Sequence, residues 1–270
     1  MTLNNSSITK TDSGRNHFID AYRGITMISM VLYHACYDYF CAFGKDPLWV
    51  GTRSAFIWQQ SICISFILVS GMVWKFGKKD AIKRGLILIL LGFAITLVTI
   101  FIMPGEAIYY GILTFIGIAT LFTILYDKAA TLKPVNPKFG RNKSVPTELL
   151  HCIICLILFA LTKHLPHGYI GTKYNTFITL PDGLYKFPAL IPLGLPTPDF
   201  RSSDYFPVIP WIFMYFLGYR LGNILFKNET FIRIGEKRIP FLSWFGRKSL
   251  LVYIIHQPIC FLLVWLICRK

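Results

Sequence analysis

Stretches of about twenty apolar residues, each broken by a short polar interval, recur along this chain and limit what it can fold into. A helix rising 1.5 Å per residue needs about that length to cross the hydrocarbon core of a bilayer. The stretches are Ala21–Cys41, Ala55–Phe76, Gly85–Met103, Ala107–Tyr126, Leu149–Leu165, Phe206–Phe226 and Phe241–Cys268. Lipid offers no hydrogen bonds to a bare backbone, so such runs must be helical. Composition agrees: 54% of the residues are hydrophobic and 15% are charged, against about 45–50% and 25% in soluble domains. Too few polar residues remain to cover a water-soluble core. The expected fold is an all-α polytopic membrane helix bundle of about seven transmembrane helices.

Charge sets the expected orientation. The net charge is +15, and a nucleic-acid binder could carry it, but the basic residues fall in alternate loops as the positive-inside rule requires. Lys75, Lys78, Lys79, Lys83 and Arg84 follow the second run; Lys128, Lys133, Lys138, Arg141 and Lys143 follow the fourth; Lys227, Arg233, Lys237, Arg238, Arg247 and Lys248 follow the sixth. The other short loops hold only Lys45 and Arg53, then none. The N-terminus is therefore expected in the cytoplasm, the C-terminus outside, and no nucleic-acid partner is implied. The fifth run is short, but without it the basic segment after the sixth would lie outside. The division expected is a cytoplasmic tail over residues 1–18 and a membrane domain over 19–270. No cleavable signal peptide is evident, since Met1 to Lys10 is polar.

Within the membrane domain, residues 164–205 form a long external connection holding Pro181, Pro188, Pro192, Pro196 and Pro198. Long loops with apolar residues of their own are more often packed lids or binding elements than linkers. The seven cysteines include a Cys152-x-x-Cys155 pair, but it lies on an apolar run with no second pair nearby, which favours packing over metal or redox chemistry. No metal is expected.

Ionisable side chains inside a membrane are costly and mark candidate functional positions. Arg23 enters at the cytoplasmic end of the first run, and His34 lies roughly 16 Å deeper at helical rise. Asp38 follows at i+4 on the same face. Its carboxylate could fix the His34 tautomer and leave the other ring nitrogen as a general base; equally, His34 could be satisfied by a neighbouring helix. His256 sits near mid-membrane two residues before Pro258, where a lost amide donor predicts a kink. That arrangement fits either a cavity-lining base or a structural kink. A transporter moving protons through His34, Asp38 and His256 is the alternative use of these groups, although no internal repeat supports it. Gly218-x3-Gly222 is read as a close helix contact, and Arg220 as a side chain reaching back to the inner interface.

The stretch Ile19-Asp20-Ala21-Tyr22-Arg23-Gly24-Ile25, with Met30 and His34, resembles the opening helix of the transmembrane acyltransferases. Tyr110-Gly111-Ile112-Leu113, Ser203-Asp204-Tyr205-Phe206-Pro207-Val208-Ile209-Pro210-Trp211 and Gly246-Arg247-Lys248 through His256-Gln257-Pro258 are similar to short bacterial members of the heparan-α-glucosaminide N-acetyltransferase catalytic family, itself related to acyltransferase-3. The likeness spans Arg15 to Pro258 and departs at Thr114, where the family often has His. It implies an acyltransferase of the bacterial plasma membrane that moves an acyl group, acetyl above all, from acetyl-CoA or another acyl-CoA. The acceptor implied is a hydroxyl or amine of a sugar, glycan or lipid-linked molecule. On this reading His34, Asp38 and His256 carry the chemistry. Arg23, with Asp20 and Arg84, meets the donor, and Asp204 and Trp211 meet the acceptor.

The orientation predicts the outcome of single-cysteine labelling from each side of intact cells. A thiol placed at Lys138 should be shielded from an impermeant reagent added outside, and one placed at Gly105 should be labelled. Labelling of position 138 from outside would reverse the assignment.

Overall fold

The computed structural model describes residues 15–132 and 145–269. The residues before Arg15 and the basic positions Lys133, Lys138, Arg141 and Lys143 lie outside this set. Among the described residues the chain forms nine α-helices: α1 His17–Tyr37, α2 Arg53–Met72, α3 Ala81–Ile102, α4 Ile112–Leu132, α5 Val145–Thr162, α6 Val208–Leu225, α7 Glu229–Gly235, α8 Pro240–Arg247 and α9 Ser249–Cys268. The strands are β1 Tyr169–Gly171 and β2 Thr176–Thr179, paired antiparallel. Six stretches are long and apolar enough to cross a membrane: Arg53–Met72, Trp74–Ile102, Ile112–Ala129, Val145–His167, Val208–Leu225 and Ser249–Cys268. The protein is thus a polytopic helix bundle, and the short fifth run is a full membrane-length helix.

The first expected span differs. α1 has 21 residues, about 30 Å at helical rise, yet it is not among the six. Asp20, Arg23, Thr26, Ser29 and His34 make it more polar than the others. Its apolar residues Phe18, Tyr22, Ile25 and Leu32 are exposed and recur at helical spacing along one stripe. Its inward face mixes polar and apolar residues, with Asp20, Thr26, Met27, Met30 and Tyr33 buried. α9 runs as one helix with Pro258 inside it.

The chain divides into two compact units. The first comprises residues up to Phe66 together with Leu225 onward. Its core is Met27, Met30, Tyr33, Ala55 and Ile62, flanked by Trp49, Trp58, Val252 and Tyr253. Trp58 Nε1 donates to Ser29 Oγ at 2.8 Å. α8 lies against α1 at backbone contact: a methyl group on Gly24 would stand 2.0 Å from the Leu242 carbonyl oxygen, and one on Gly246 would stand 1.8 Å from that of Asp20. Only hydrogen permits such an approach, and lipid supplies no hydrophobic force to offset a looser fit.

The second unit, Ile67–Ile224, uses the same device twice. α3 meets α4 through Gly85, Gly92 and Gly117, and the end of α2 meets α6 through Gly71, Gly218 and Gly222. Gly218-x3-Gly222 is therefore a close helix contact, as its spacing suggested. Trp74 Nε1 donates to the Thr120 carbonyl at 3.2 Å. Arg220 does not reach the interface as expected. It is 3% exposed and paired with Glu148 of α5 at 3.1 Å, because a buried carboxylate offers it more than the headgroup region does. Residues 106–112 and 202–206 bond directly to one another. The α3–α4 turn and the start of α6 therefore share one end of this unit, which requires α5 to return the chain across it.

Replacing Gly246 with Leu should lower the melting temperature of the purified protein by several degrees, since backbone must separate from backbone. Gly51→Leu, where a side chain meets open space, should leave it nearly unchanged. Equal melting temperatures for the two variants would remove close α1–α8 packing from the account.

Candidate active site

The first unit gathers four polar side chains in an apolar setting. α1 ends at Tyr37 and passes into a π-helical turn, Asp38–Ala42. Asp38 keeps helical register with His34, its N–H donating to the His34 carbonyl oxygen, but its carboxylate turns to α9 and the expected side-chain hydrogen bond between them is not formed. Gln257 Nε2 of α9 instead donates to Asp38 Oδ1 at 3.0 Å. His34 meets His256, with ring centroids 4.7 Å apart and planes at 66°. The His256 Nδ1 atom lies 2.6 Å from the Tyr253 carbonyl oxygen. A carbonyl can only accept, so Nδ1 carries the proton and Nε2 keeps its lone pair.

What these side chains leave open is informative. Asp38 is 1% exposed and His256 7% exposed. Asp38 Oδ2, His256 Nε2 and Gln257 Oε1 are buried without a hydrogen-bond partner. A buried polar atom left unpaired costs about 1–3 kcal/mol, more when charged. Three on one carboxylate, one imidazole and one adjoining amide form an acceptor-rich cluster able to take protons from a bound molecule. His34 is half-buried beside it.

The N-terminal end of α1 holds two of the three residues assigned to the donor, Asp20 and Arg23. Arg15 grips the buried Asp20 carboxylate through both Nε and Nη2, so Asp20 positions an arginine and is not open to a ligand. Asn16 caps the helix, accepting from the Ile19 N–H at 3.1 Å, and Arg238 Nε donates to His17 Nε2 at 3.2 Å. Arg23 lies on α1 two turns above this cap. Arg84 belongs to the second unit, where its guanidinium lies over Gly77. The three donor residues named from sequence are therefore divided between two units.

The acceptor residues lie in the second unit. Asp204 Oδ2 accepts from the Ile112 N–H at 3.2 Å and starts α4. Burial pushes its carboxyl up to about 6, against the pull of that N–H. Because the folded state favours the protonated form, the stabilisation is complete below the ordinary carboxylate range and fades as pH rises through about 6. Trp211 is buried against Phe159 and Phe206. Neither residue lines the pocket beside them. That pocket, of about 700 Å³, is walled by Glu106, Tyr109, Tyr110, Phe200, Arg201 and Ser202, among others. Tyr110 holds a left-handed backbone, φ 55°, a strain of about 1–3 kcal/mol. It is kept there by Phe206 N donating to the Tyr110 carbonyl and by Ser202 bonding both main-chain groups of Tyr109.

Sequence reasoning missed two groups. Gln257 stood in a noted motif without a role, although an amide one residue from a buried His was a signal. The Glu148–Arg220 pair, with Asn223 at 3.5 Å, joins helices whose contact could not be read locally; an acid opening an apolar run was the clue.

The family model described as "Heparan-alpha-glucosaminide N-acetyltransferase, catalytic" matches residues 15–258. No curated protein matches the chain, and no solved structure does so.

Proposed function

Because the chain belongs to the heparan-alpha-glucosaminide N-acetyltransferase catalytic family, a family of membrane-bound acetyltransferases, we propose that it transfers an acetyl group from cytoplasmic acetyl-CoA to an amine or hydroxyl of a sugar or glycolipid outside. On this reading α1 also crosses the bilayer, with its N-terminus inside, and the membrane is a bacterial plasma membrane. The observation that supports it most is the buried, unpartnered cluster at Asp38, His256 and Gln257.

His256 Nε2 is the general base. It takes the proton of the acceptor amine or hydroxyl as that atom bonds to the thioester carbonyl carbon. The carbon–sulfur bond then breaks, and the proton passes to the departing thiolate. The Tyr253 carbonyl holds the Nδ1–H and so fixes the tautomer this requires. Asp38, held at one oxygen by Gln257, supplies the negative charge that favours the imidazolium. His34, against the His256 ring and half-exposed, guides the acceptor to it. Arg23 meets a phosphate of the donor, where a guanidinium fork suits paired oxygens. The pocket in the second unit suits a sugar, having aromatic faces for its C–H surface and Glu106, Ser202 and Arg201 for its hydroxyls.

A proton-coupled transporter would use the same histidines, but family membership weighs against it. Acetyl transfer by the purified protein in proteoliposomes separates the two. His256→Ala should lower turnover by about 10²–10⁴-fold, the usual share of general acid–base catalysis, while acetyl-CoA affinity stays near that of the wild type. His34→Ala should act in the same direction, and the double variant should lose little more than either alone. Arg23→Ala should weaken donor binding, with partial rescue by Arg23→Lys. Wild-type turnover in a folded His256→Ala protein would eliminate this base.

A further inference from the structure

Residues 163–193 contain an unpartnered apolar surface that the transfer chemistry does not use. All four residues of β2 are exposed. Tyr174 at the hairpin tip is 87% exposed and Phe177 is 63% exposed, with Ile178 and Phe187 also open. In water such a group of aromatic and branched side chains is a liability; on a partner it is an anchor. Both strands are short and the tip holds the largest exposed ring, so no further strand of this unit covers them.

We propose that this hairpin docks on the outer interfacial layer of the same bilayer that the helices cross. Three observations favour lipid over another occupant. First, the surface continues one already in lipid. Leu149, Leu150, Ile153, Ile154, Leu156 and Ile157 of α5 are exposed along a membrane-length helix. β1 packs against that helix, with the His164 and Tyr169 rings stacked 5.0 Å apart at 8°. Second, the segment is tethered at both ends by spanning helices, α5 and α6, which keeps it within reach of the membrane surface. Third, the chemistry matches a headgroup zone. Tyrosine carries an apolar ring with a polar tip and collects at membrane–water boundaries. Lys163, Lys173 and Lys186 supply the positive charge that lipid phosphates attract. The partner is therefore a phospholipid interface, and the consequence is positional: the hairpin fixes the height of the external segment at the bilayer surface, where the headgroup of a lipid-linked molecule would be presented.

The test places the photo-crosslinking residue p-benzoylphenylalanine at Tyr174, at Phe177 and, as reference, at Asp182. Each protein is reconstituted in phosphatidylethanolamine–phosphatidylglycerol vesicles, irradiated and analysed by mass spectrometry. Positions 174 and 177 should yield phospholipid adducts at least five-fold above position 182. Phe177→Tyr with the probe at 174 should preserve the adduct, and Phe177→Asp should reduce it, which separates docking from loss of fold. Equal adduct yields at all three positions would overturn the proposal. So would cross-linking of positions 174 and 177 to a second copy of the chain instead of lipid. The readout needs no acetyl donor, so its failure is distinct from failure of the transfer reaction.

Discussion

Hydrocarbon cannot satisfy a polar atom, and that constraint organises the rest of this structure. Every buried donor or acceptor must find a partner on another helix or stand unpaired at a cost of about 1–3 kcal/mol. The second unit obeys in part: Glu148 pairs with Arg220, and Tyr219 Oη donates to Asp127, which Lys78 also holds, while Arg84 Nε, Arg220 Nη2 and Asn223 Oδ1 stay open. Glycines bring the backbones close enough for these bonds to form. The first unit obeys at the N-terminal end of α1, where Arg15 takes Asp20. It departs from the rule at Asp38, His256 and Gln257, and there three atoms remain open.

The kind of open atom gives the site its meaning. The Glu148–Arg220–Asn223 cluster leaves one donor and one acceptor open around an ion pair, whereas the three open atoms at Asp38, His256 and Gln257 are all acceptors. The α1–α9 cluster holds one Asp38 oxygen and one His256 nitrogen firmly and leaves the other of each vacant of partners. On the proposed reading such an arrangement is pre-organised: the protein bears the cost of desolvation in advance, and a bound acceptor would supply the missing donors. The π-helical turn that begins at Asp38 fits the same logic, since π turns are frequent at functional sites.

Much of this was legible in the sequence. The six later spans follow from hydropathy, except that the last begins at Ser249 and not at Phe241, which lies on the separate helix α8; Arg23, His34 and His256 stood out because charge in an apolar run is expensive. α1 was harder, because its polar residues face other helices and lower its hydropathy. Partner choice was illegible for a geometric reason. Asp38 and Gln257 are 219 residues apart and Arg220 and Glu148 are 72 apart, so the pairs depend on which helices touch. The i+4 rule placed Asp38 one turn beyond His34 correctly, but it says nothing of another helix, and Gln257 of α9 takes the carboxylate instead. Likewise Asp204 was singled out as a ligand for an acceptor; in the structure its carboxyl group accepts from the first N–H of α4.

The central claim is that the open atoms serve a substrate and cost the fold stability. Replacing Asp38, His256 and Gln257 together with leucine removes both partners of the one inter-helix hydrogen bond as well as the three open atoms, a change that is nearly neutral or stabilising where no structural role exists. Thermal unfolding and acetyl transfer measured on this variant test the claim most directly. The account predicts a melting temperature equal to or above that of the wild type, with transfer lost. A melting temperature several degrees lower, with transfer retained, would contradict it.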